Sequence, residues 1–208
     1  MIAIIDYGVG NLFSLRSSLA AIGVEAEVTG DAGRIRAAEK LILPGVGAFG
    51  DAAKKLRDCG LADVICAEAA AGKPLLGICL GMQLLFEKSY EYGEHEGLGL
   101  IPGSVQPLLG AIDPQLKVPQ MGWNALDFCQ PDSPLFRHIK PGDCVYFVHS
   151  YHAVCPQQYL LATAEYDINV TAAVAHGNVY GCQFHPEKSG SVGLAILRAF
   201  AELEVAKC

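Results

Sequence analysis

The chain contains 208 residues, of which 51% are hydrophobic, so it can bury one substantial core, and we expect a single domain over residues 1–208. Its 15 Lys and Arg residues against 22 Asp and Glu give a net charge of −7, and no basic run occurs, so we expect neither nucleic acid nor a membrane as partner. The opening apolar run meets Asp6 before it could form the core of a signal peptide, and no later stretch approaches the roughly 20 apolar residues of a membrane helix. We therefore expect a cytoplasmic protein.

The cysteines form no CxxC pair and no Cys/His metal spacing. In a chain without an export signal, the expectation is reduced and mostly buried thiols rather than disulfides. The eight cysteines are Cys59, Cys66, Cys79, Cys129, Cys144, Cys155, Cys182 and Cys208.

Strands and helices alternate in the first half of the chain. The apolar run from Ile2 to Asp6 predicts a buried parallel strand, and a helix follows from Leu12, with Asn11 as its N-cap and Gly23 as its stop. The next predicted elements are a strand over 24–28, a helix over 31–38, a strand over 40–43, helices near 51–59 and 61–71, and a strand at 73–76. This alternation is typical of a parallel, doubly wound sheet.

The second half has a different pattern. Residues 87–99 are polar, acidic and rich in glycine, which predicts a surface loop. Short segments separated by Pro, Gly and Asp then predict antiparallel strands at 105–108, 118–121, 124–128, 145–148, 160–165, 172–175 and 179–184, before a final helix over 190–201. We expect an α/β fold with a mostly parallel central sheet flanked by helices and with antiparallel strands in the C-terminal half.

A candidate nucleophile lies in the segment Gly77-Ile-Cys-Leu-Gly-Met-Gln83. The apolar run before it predicts a strand, and helical spacing after Cys79 predicts a helix, so Cys79 lies at an abrupt strand-to-helix turn. Flanking glycines allow a tight bend, and the start of a helix favours a thiolate. A free cysteine is commonly a small buried hydrophobe, but such a residue does not need two glycines beside it.

A second glycine-rich turn, Pro44-Gly-Val-Gly-Ala-Phe-Gly50, follows the strand at 40–43. Ligand sites collect at the carboxyl ends of strands in open α/β sheets. The loop Gly45-Val46-Gly47 could therefore aim backbone amides at a developing oxyanion beside Cys79. Alone, this pattern is equally compatible with a tight turn or a phosphate cradle.

A cysteine nucleophile needs a base and a group that orients it. His185 directly follows a predicted strand, and Glu187 lies two residues later, so both can project from one extended stretch and complete a triad with Cys79. A structural histidine at a strand end is the alternative for His185. His149 and His152 could in principle form a metal pair, but no third ligand is suggested, so we expect no metal and no cofactor.

Several motifs together resemble a known family. The cysteine elbow and Gln183-Phe-His-Pro-Glu187 resemble the class I, triad-type glutamine amidotransferases. The likeness is closest to the glutaminase subunits of imidazole glycerol phosphate synthase, which act in histidine biosynthesis, and it extends over nearly the whole chain. The motifs that carry it are Ile5-Asp-Tyr-Gly-Val-Gly-Asn11, Leu43-Pro-Gly-Val-Gly-Ala-Phe-Gly50, Pro119-Gln-Met-Gly-Trp-Asn124, Tyr146-Phe-Val-His-Ser-Tyr151 and Phe184-His-Pro-Glu-Lys-Ser189.

The resemblance implies that the Cys79 sulfur attacks the side-chain amide of L-glutamine and that His185, oriented by Glu187, protonates the departing ammonia. The oxyanion would meet the backbone amides of Val46 and Leu80. The remaining substrate-binding residues implied are Gly47, Gln83, Ser150 and Tyr151.

The resemblance also implies a heterodimer. Ammonia would pass into a separate cyclase subunit that makes imidazole glycerol phosphate and an aminoimidazole carboxamide ribotide. The residues implied at that interface are Asn11, Trp123, Tyr146 and Lys188.

One position departs from the family pattern, because Gln120 stands where relatives commonly carry histidine. Glutamine can form hydrogen bonds but cannot gain charge, so a proton-linked role is not expected there. Two other functions remain open from the residues alone. One is a triad glutaminase of another pathway, or a cysteine hydrolase of similar fold. The other is a non-catalytic binding module.

Overall fold

The computed structural model describes residues 1–204. The strands found in this range are β1 (Ile2–Ile5), β2 (Ala26–Thr29), β3 (Lys40–Gly45), β4 (Leu75–Cys79), β5 (Phe86–Ser89), β6 (His95–Glu96), β7 (Ile101–Pro107), β8 (Gln120–Ala125), β9 (Asp127–Phe128), β10 (Cys144–His149), β11 (Tyr151–Val154), β12 (Leu160–Tyr166), β13 (Ile168–His176) and β14 (Val179–Cys182). The α-helices are α1 (Leu12–Ala21), α2 (Ala32–Ala37), α3 (Phe49–Asp58), α4 (Leu61–Ala70), α5 (Leu80–Leu84) and α6 (Gly190–Ala201).

The central sheet, as far as residues 1–204 show it, has eight strands in the order β2-β1-β3-β4-β14-β13-β12-β9. Neighbouring strands from β2 to β14 run parallel, and those from β14 to β9 run antiparallel. The expected α/β class, with antiparallel strands contributed by the C-terminal half, is confirmed. Because β14 adds to β4 in parallel, the two halves of the chain share one continuous sheet.

Side chains from the parallel strands alternate between two apolar layers. Ala3 and Ile5 pack with the cluster that includes α2, α3 and α4, whereas Ile2 and Ile4 pack with the cluster that includes α1 and α6. Since successive side chains of a strand point to opposite faces, a continuous apolar run is what a strand covered on both sides requires. Helices therefore cover both faces of the parallel strands and hold them in place by apolar packing.

Two smaller sheets lie beyond the central one in the described chain. One has the order β11-β7-β5-β6, and the other pairs β10 with β8. The expected loop over residues 87–99 was therefore wrong, because β5 and β6 form an antiparallel pair there and β5 also pairs in parallel with β7. The strand β11 was not predicted. Its partner, β7, lies more than 40 residues earlier in the chain, so local sequence carries little signal of this pairing.

Two helix termini differ from the predictions. The helix after Cys79 ends at Leu84, although the apolar spacing continued beyond this residue, because Phe86 begins β5. Asn11 occupies the N-cap position of α1, but its side chain makes no capping hydrogen bond within residues 1–204. The final helix, Gly190–Ala201, has the predicted bounds.

The thiols are more exposed than predicted. All seven cysteines in the described range are free, as expected, but only Cys79 and Cys182 are buried. Cys208 lies outside the described residues. The expectation of mostly buried thiols was wrong because several strand-like segments that carry cysteines lie at sheet edges and in surface turns. Over residues 1–204, no helix is long and apolar enough to cross a membrane.

Candidate active site

Cys79 lies at the end of β4, where the chain turns directly into α5. Its backbone has φ 54° and ψ −112°, a conformation that residues with a side chain rarely adopt and that costs roughly 1–3 kcal/mol. This is the elbow predicted from the sequence. Since α5 has only five residues, the helix dipole that we expected to favour a thiolate is weaker than a longer helix would supply.

Close backbone packing explains the glycines around the elbow. A Cβ atom on Gly81 would lie 1.8 Å from the carbonyl oxygen of Leu43, and one on Gly77 would lie 2.7 Å from the carbonyl oxygen of Gly81. A Cβ atom on Gly45 would lie 2.7 Å from the amide nitrogen of Gly81. The strand β3 is therefore pressed against the first turn of α5, which brings the glycine-rich loop after β3 beside Cys79.

A tyrosine holds this glycine-rich loop. The hydroxyl of Tyr7 donates a hydrogen bond of 2.9 Å to the carbonyl oxygen of Pro44, directly before the segment from Gly45 to Gly47. Gly47 has φ +93°, a conformation that favours glycine, so the loop can reverse here without strain. Val46 and Gly47 both line the same pocket as Cys79, as the sequence predicted for an oxyanion loop.

Sheet topology brings the two distant halves of the predicted triad together. The strand that carries Cys79 pairs in parallel with β14, and Ile78 lies opposite Cys182 in the register. Parallel neighbours end at the same edge of a sheet, so the segment after β14 reaches the elbow. The pairing of β14 with β4 thus brings Cys79 and His185 close together although they are far apart in sequence.

His185 and Glu187 are held by a short 3₁₀ helix, Pro186–Lys188, and not by the extended stretch that we predicted. Nδ1 of His185 donates to Oε1 of Glu187 at 2.8 Å, and each of the two side chains is 3% exposed. The backbone amide of His185 donates to the carbonyl oxygen of Tyr146 at 2.9 Å, and the Ser189 hydroxyl donates to the carbonyl oxygen of His185 at 2.6 Å. The imidazole is thereby fixed at both its ring and its backbone.

The environment of His185 favours the protonated ring. Burial disfavours the imidazolium, but interaction with Cys79 and the hydrogen bond to Glu187 outweigh it and raise the pKa of His185 to about 9. Nε2 makes no hydrogen bond to any described residue. Since Nδ1 is engaged by Glu187, Nε2 is the nitrogen left to exchange a proton with the thiol of Cys79 or with a bound substrate.

The pocket above these groups has a volume of about 320 Å³. Every residue that the resemblance assigned to the oxyanion or the substrate lies in its wall, and so do Cys79, His185 and Lys188. The lining residues are Val46, Gly47, Cys79, Leu80, Gln83, Glu91, Pro119, Val148, His149, Ser150, Tyr151, His185 and Lys188. Glu187 lies behind His185 and outside this wall.

Two polar residues of the pocket were not assigned from the sequence. Oε2 of Glu91 accepts a hydrogen bond of 2.6 Å from the backbone amide of Phe49, at the start of α3. Glu91 follows β5 in a segment that we predicted to be an unstructured surface loop, so its sequence context gave no signal of a site.

His149 was considered only as half of a metal pair with His152. Its Nδ1 donates to the carbonyl oxygen of Tyr151 at 2.8 Å, and burial lowers the pKa of His149 to about 4, so the ring is neutral. No group of three His, Cys, Asp or Glu side chains that could hold a metal ion is found among residues 1–204.

Of the residues expected at a partner interface, Lys188 lines the pocket, and Tyr146 and Trp123 follow it in a series of side-chain contacts. The rings of Trp123 and Tyr146 are 6.0 Å apart and meet edge to face, and Nζ of Lys188 lies 6.0 Å from the Tyr146 ring centroid. Trp123 is 54% exposed and its neighbour Met121 is 63% exposed. Asn11 lines a small cavity of about 10 Å³ beside His185 and Glu187.

Gln120 begins β8, opposite His149 on β10, and is completely buried. Its Nε2 donates to Oδ1 of Asn124 at 3.0 Å, whereas its Oε1 has no partner in the described chain. The side chain thus forms the hydrogen bond expected of an uncharged residue at this position.

Comparison with known proteins agrees with this geometry. The family model described as glutamine amidotransferase class I matches residues 3–202. The imidazole glycerol phosphate synthase subunit HisH of Listeria monocytogenes is 49% identical over 203 residues, which is 98% of this chain and 96% of that protein. The subunit of the same name from Sulfurimonas denitrificans is 49% identical over 204 residues, which is 97% of this chain and 98% of that protein.

Two solved structures share the fold. A crystal structure of a glutamine amidotransferase has a TM-score of 0.75 at 20% identity and covers 97% of each chain. The structure of PurLQS from Thermotoga maritima has a TM-score of 0.73 at 22% identity and covers 96% of each chain. The resemblance seen in the sequence motifs is confirmed, and the chain belongs to the class I glutamine amidotransferase family.

Proposed function

We propose that this chain is the glutaminase subunit of an imidazole glycerol phosphate synthase. It hydrolyses L-glutamine and supplies the ammonia to a separate cyclase subunit. The observation that carries the proposal is that Cys79 and His185 line one pocket beyond the carboxyl ends of neighbouring parallel strands, with Glu187 bound to Nδ1 of His185 behind it. Near 49% identity over almost the full length of subunits with that name supports the choice of pathway.

The reaction begins with the sulfur of Cys79 attacking the side-chain amide carbon of glutamine. A thiolate paired with an imidazolium is the active form, and the raised pKa of His185 favours it because the ring then carries its proton at neutral pH. The tetrahedral oxyanion is stabilised by the backbone amides of Val46 and Leu80, on the two backbone turns that pack against each other. His185 then protonates the leaving nitrogen, and ammonia departs.

The second half of the reaction hydrolyses a glutamyl thioester on Cys79. The imidazole, now neutral, removes a proton from water, and attack on the thioester releases glutamate and restores the thiolate with its imidazolium partner. Glu187 stabilises the charged ring in both halves because its carboxylate is buried against Nδ1.

The walls of the pocket suit the two ends of the substrate. Gly47, Gln83, Ser150 and Tyr151 seat the glutamine side chain and its α-carboxylate. Glu91 is the carboxylate of the pocket wall and provides the counter-charge for the α-ammonium group.

The cyclase docks on the rim of the pocket. Trp123 and Met121, both on β8, expose large apolar side chains, and Phe13, at the start of α1, is 82% exposed. Exposed aromatic and methionine side chains are enriched at the centres of protein interfaces. Together with Asn11, Tyr146 and Lys188, these residues are the proposed contact surface for the cyclase, and a partner seated over Lys188 would keep ammonia out of bulk water.

The proposal is tested by titrating the chain with a cyclase subunit while following glutamate release and imidazole glycerol phosphate formation. The Cys79→Ala variant is expected to lose all glutamine-dependent product but to keep ammonium-dependent product in the complex, because the cyclase reaction does not use the thiol. Cys144→Ala, at an exposed cysteine on β10, serves as the matched control and should retain both activities.

Two outcomes would contradict the proposal. Glutamine turnover that persists in Cys79→Ala would show that Cys79 is not the nucleophile. Full glutaminase activity without any effect of the cyclase would instead favour a glutaminase of another pathway.

A further inference from the structure

Gln183 is a buried polar residue that belongs neither to the proposed triad nor to the wall of the substrate pocket. It follows β14 directly, its backbone amide donates to the carbonyl oxygen of Ala172 at 2.8 Å, and its side chain has no exposed surface. A glutamine without solvent contact must satisfy an oxygen and two N–H donors inside the protein, or burial becomes costly. The groups that satisfy it lie in the active site.

The side-chain amide of Gln183 bridges the nucleophile and a substrate-binding residue. Its Nε2 donates to the sulfur of Cys79 at 3.6 Å. Its Oε1 accepts a hydrogen bond of 3.0 Å from Nε2 of Gln83, and the same nitrogen of Gln83 donates to the carbonyl oxygen of Tyr151 at 2.9 Å. A continuous series of hydrogen bonds therefore connects the backbone carbonyl of Tyr151 on β11, through Gln83 and Gln183, to the sulfur of Cys79.

The direction of this chain is set by chemistry. The carbonyl oxygen of Tyr151 can only accept, so Gln83 must turn its amino group toward it. The amino group of Gln83 also donates to Gln183, so Gln183 must accept this hydrogen bond through its side-chain oxygen. Its own amino group is then turned toward the sulfur of Cys79. Each hydrogen bond also polarises the next and strengthens the last donor in the chain.

We propose that Gln183 stabilises the thiolate of Cys79 through this N–H···S hydrogen bond, and that Gln83 and Gln183 couple the glutamine seat to the nucleophile. The inference rests on the proposed role of Cys79 as nucleophile. An amide never gives up its proton at neutral pH, unlike the imidazolium of His185, which loses one in each turnover. Gln183 therefore donates to the sulfur throughout the cycle, including the moment the sulfur leaves the thioester beside the imidazolium that His185 has formed by taking a proton from water.

Other groups near the sulfur do not replace this donor. Burial raises the pKa of Tyr7 and of Cys182, so both stay neutral at physiological pH and neither brings positive charge to the thiolate. The His149 ring is neutral as well, since burial lowers its pKa to about 4. The charged groups that face this region are His185 with Glu187 behind it, Glu91, and Lys188 at the pocket wall.

The test measures the reactivity of Cys79 in two variants. Gln183→Met keeps the approximate volume and removes the donor, and Gln183→Glu keeps the shape but places a carboxylate beside the sulfur. Iodoacetamide alkylation of Cys79 is followed against pH by peptide mass spectrometry, which separates it from the other cysteines. Gln157→Glu, on an exposed 3₁₀ helix, is the matched control.

We expect the midpoint of Cys79 alkylation to rise by about one unit in Gln183→Met, as loss of one hydrogen bond to a charged group implies. The rise should be larger in Gln183→Glu. In both variants kcat for glutamine should fall by a larger factor than KM rises, because Gln183 contacts the nucleophile directly and reaches the substrate wall only through Gln83. A residue that only fills space would alter stability and leave the alkylation midpoint unchanged.

A measurement on the unmutated chain covers the case in which these variants do not fold. The side-chain amide signals of Gln183 in a glutamine-labelled sample should shift with pH at the same midpoint as Cys79 alkylation, and the shift should vanish in Cys79→Ala. Unchanged alkylation midpoints in folded variants, or amide signals that do not follow Cys79, would overturn the inference. Neither readout requires glutamine turnover, so the result is separate from that of the glutaminase proposal.

Discussion

Replacing Glu187 with Gln tests the charge that holds the imidazole of His185. Nδ1 and Oε1 are 2.8 Å apart and both side chains are 3% exposed, so solvent screens the pair little. Glutamine preserves the shape and can still accept the hydrogen bond through its own oxygen, so the substitution removes chiefly the charge.

The structure sets the size of the effect. Burial lowers the pKa of His185, but Cys79 and Glu187 together bring it from 6.5 to about 9, a difference that corresponds to roughly 3 kcal/mol of preference for the imidazolium. Two partners share this preference, so Glu187→Gln should lower the free energy of unfolding by about 1–2 kcal/mol where the ring is charged.

The sign of the pH dependence follows from the raised pKa. Below pH 6.5 both the folded and the unfolded chain carry the proton, so the full contribution of Glu187 is present, and it fades as the pH rises through about 9 and the folded chain loses the proton. Urea denaturation should therefore show a large loss in Glu187→Gln at pH 6 and little loss at pH 9.5. Glu25→Gln, at an exposed carboxylate, is the control and should change neither value. An equal loss at both pH values, or none at either, would refute the reasoning.

Three further variants test other features. Gly81→Ala should lower the free energy of unfolding by at least about 3 kcal/mol or prevent folding, as seen in thermal denaturation, because its Cβ would lie 1.8 Å from the Leu43 oxygen. Cys79→Gly should be more stable than Cys79→Ala by about 1 kcal/mol, since glycine relieves the strain at φ 54°; the opposite order would contradict it. Trp123→Ala should weaken cyclase binding more than about tenfold in a titration and leave the melting temperature nearly unchanged, because its ring is 54% exposed.

Local patterns were sufficient for the parallel half of the fold. Runs such as Ile2–Ile5 are buried on both faces, and the helices between them carry their own apolar stripes, so each element could be recognised without its partners. Cys79 and His185 could be named for the same reason, since each lies at the end of a recognisable strand. Their proximity depends on the parallel pairing of β14 with β4, which the sequence analysis did not predict, since it expected antiparallel strands in that half of the chain.

The parts that were missed depend on partners distant in sequence. β5 and β7 pair in parallel, and β11 pairs with β7 across more than 40 residues, so no local turn marks these strands. Glu91 gained its place in the pocket through this sheet, which a reading of polar composition could not foresee. Gln183 belongs to the motif that ends at Glu187, but it received no role of its own because sequence spacing does not show which groups a buried glutamine contacts. Its hydrogen bonds to Gln83 and Cys79 are visible only in the structure.

The place of β14 in the middle of the central sheet has a consequence for synthesis on the ribosome. The cysteine elbow after β4 is synthesised well before β14, which carries the segment with His185 and Glu187 and must take its place between β4 and β13. On the proposed mechanism, a chain that stops before His185 carries the thiol without the group that protonates the leaving ammonia. The nucleophile and its base therefore meet only when β14 has joined the sheet, long after the elbow itself has been made.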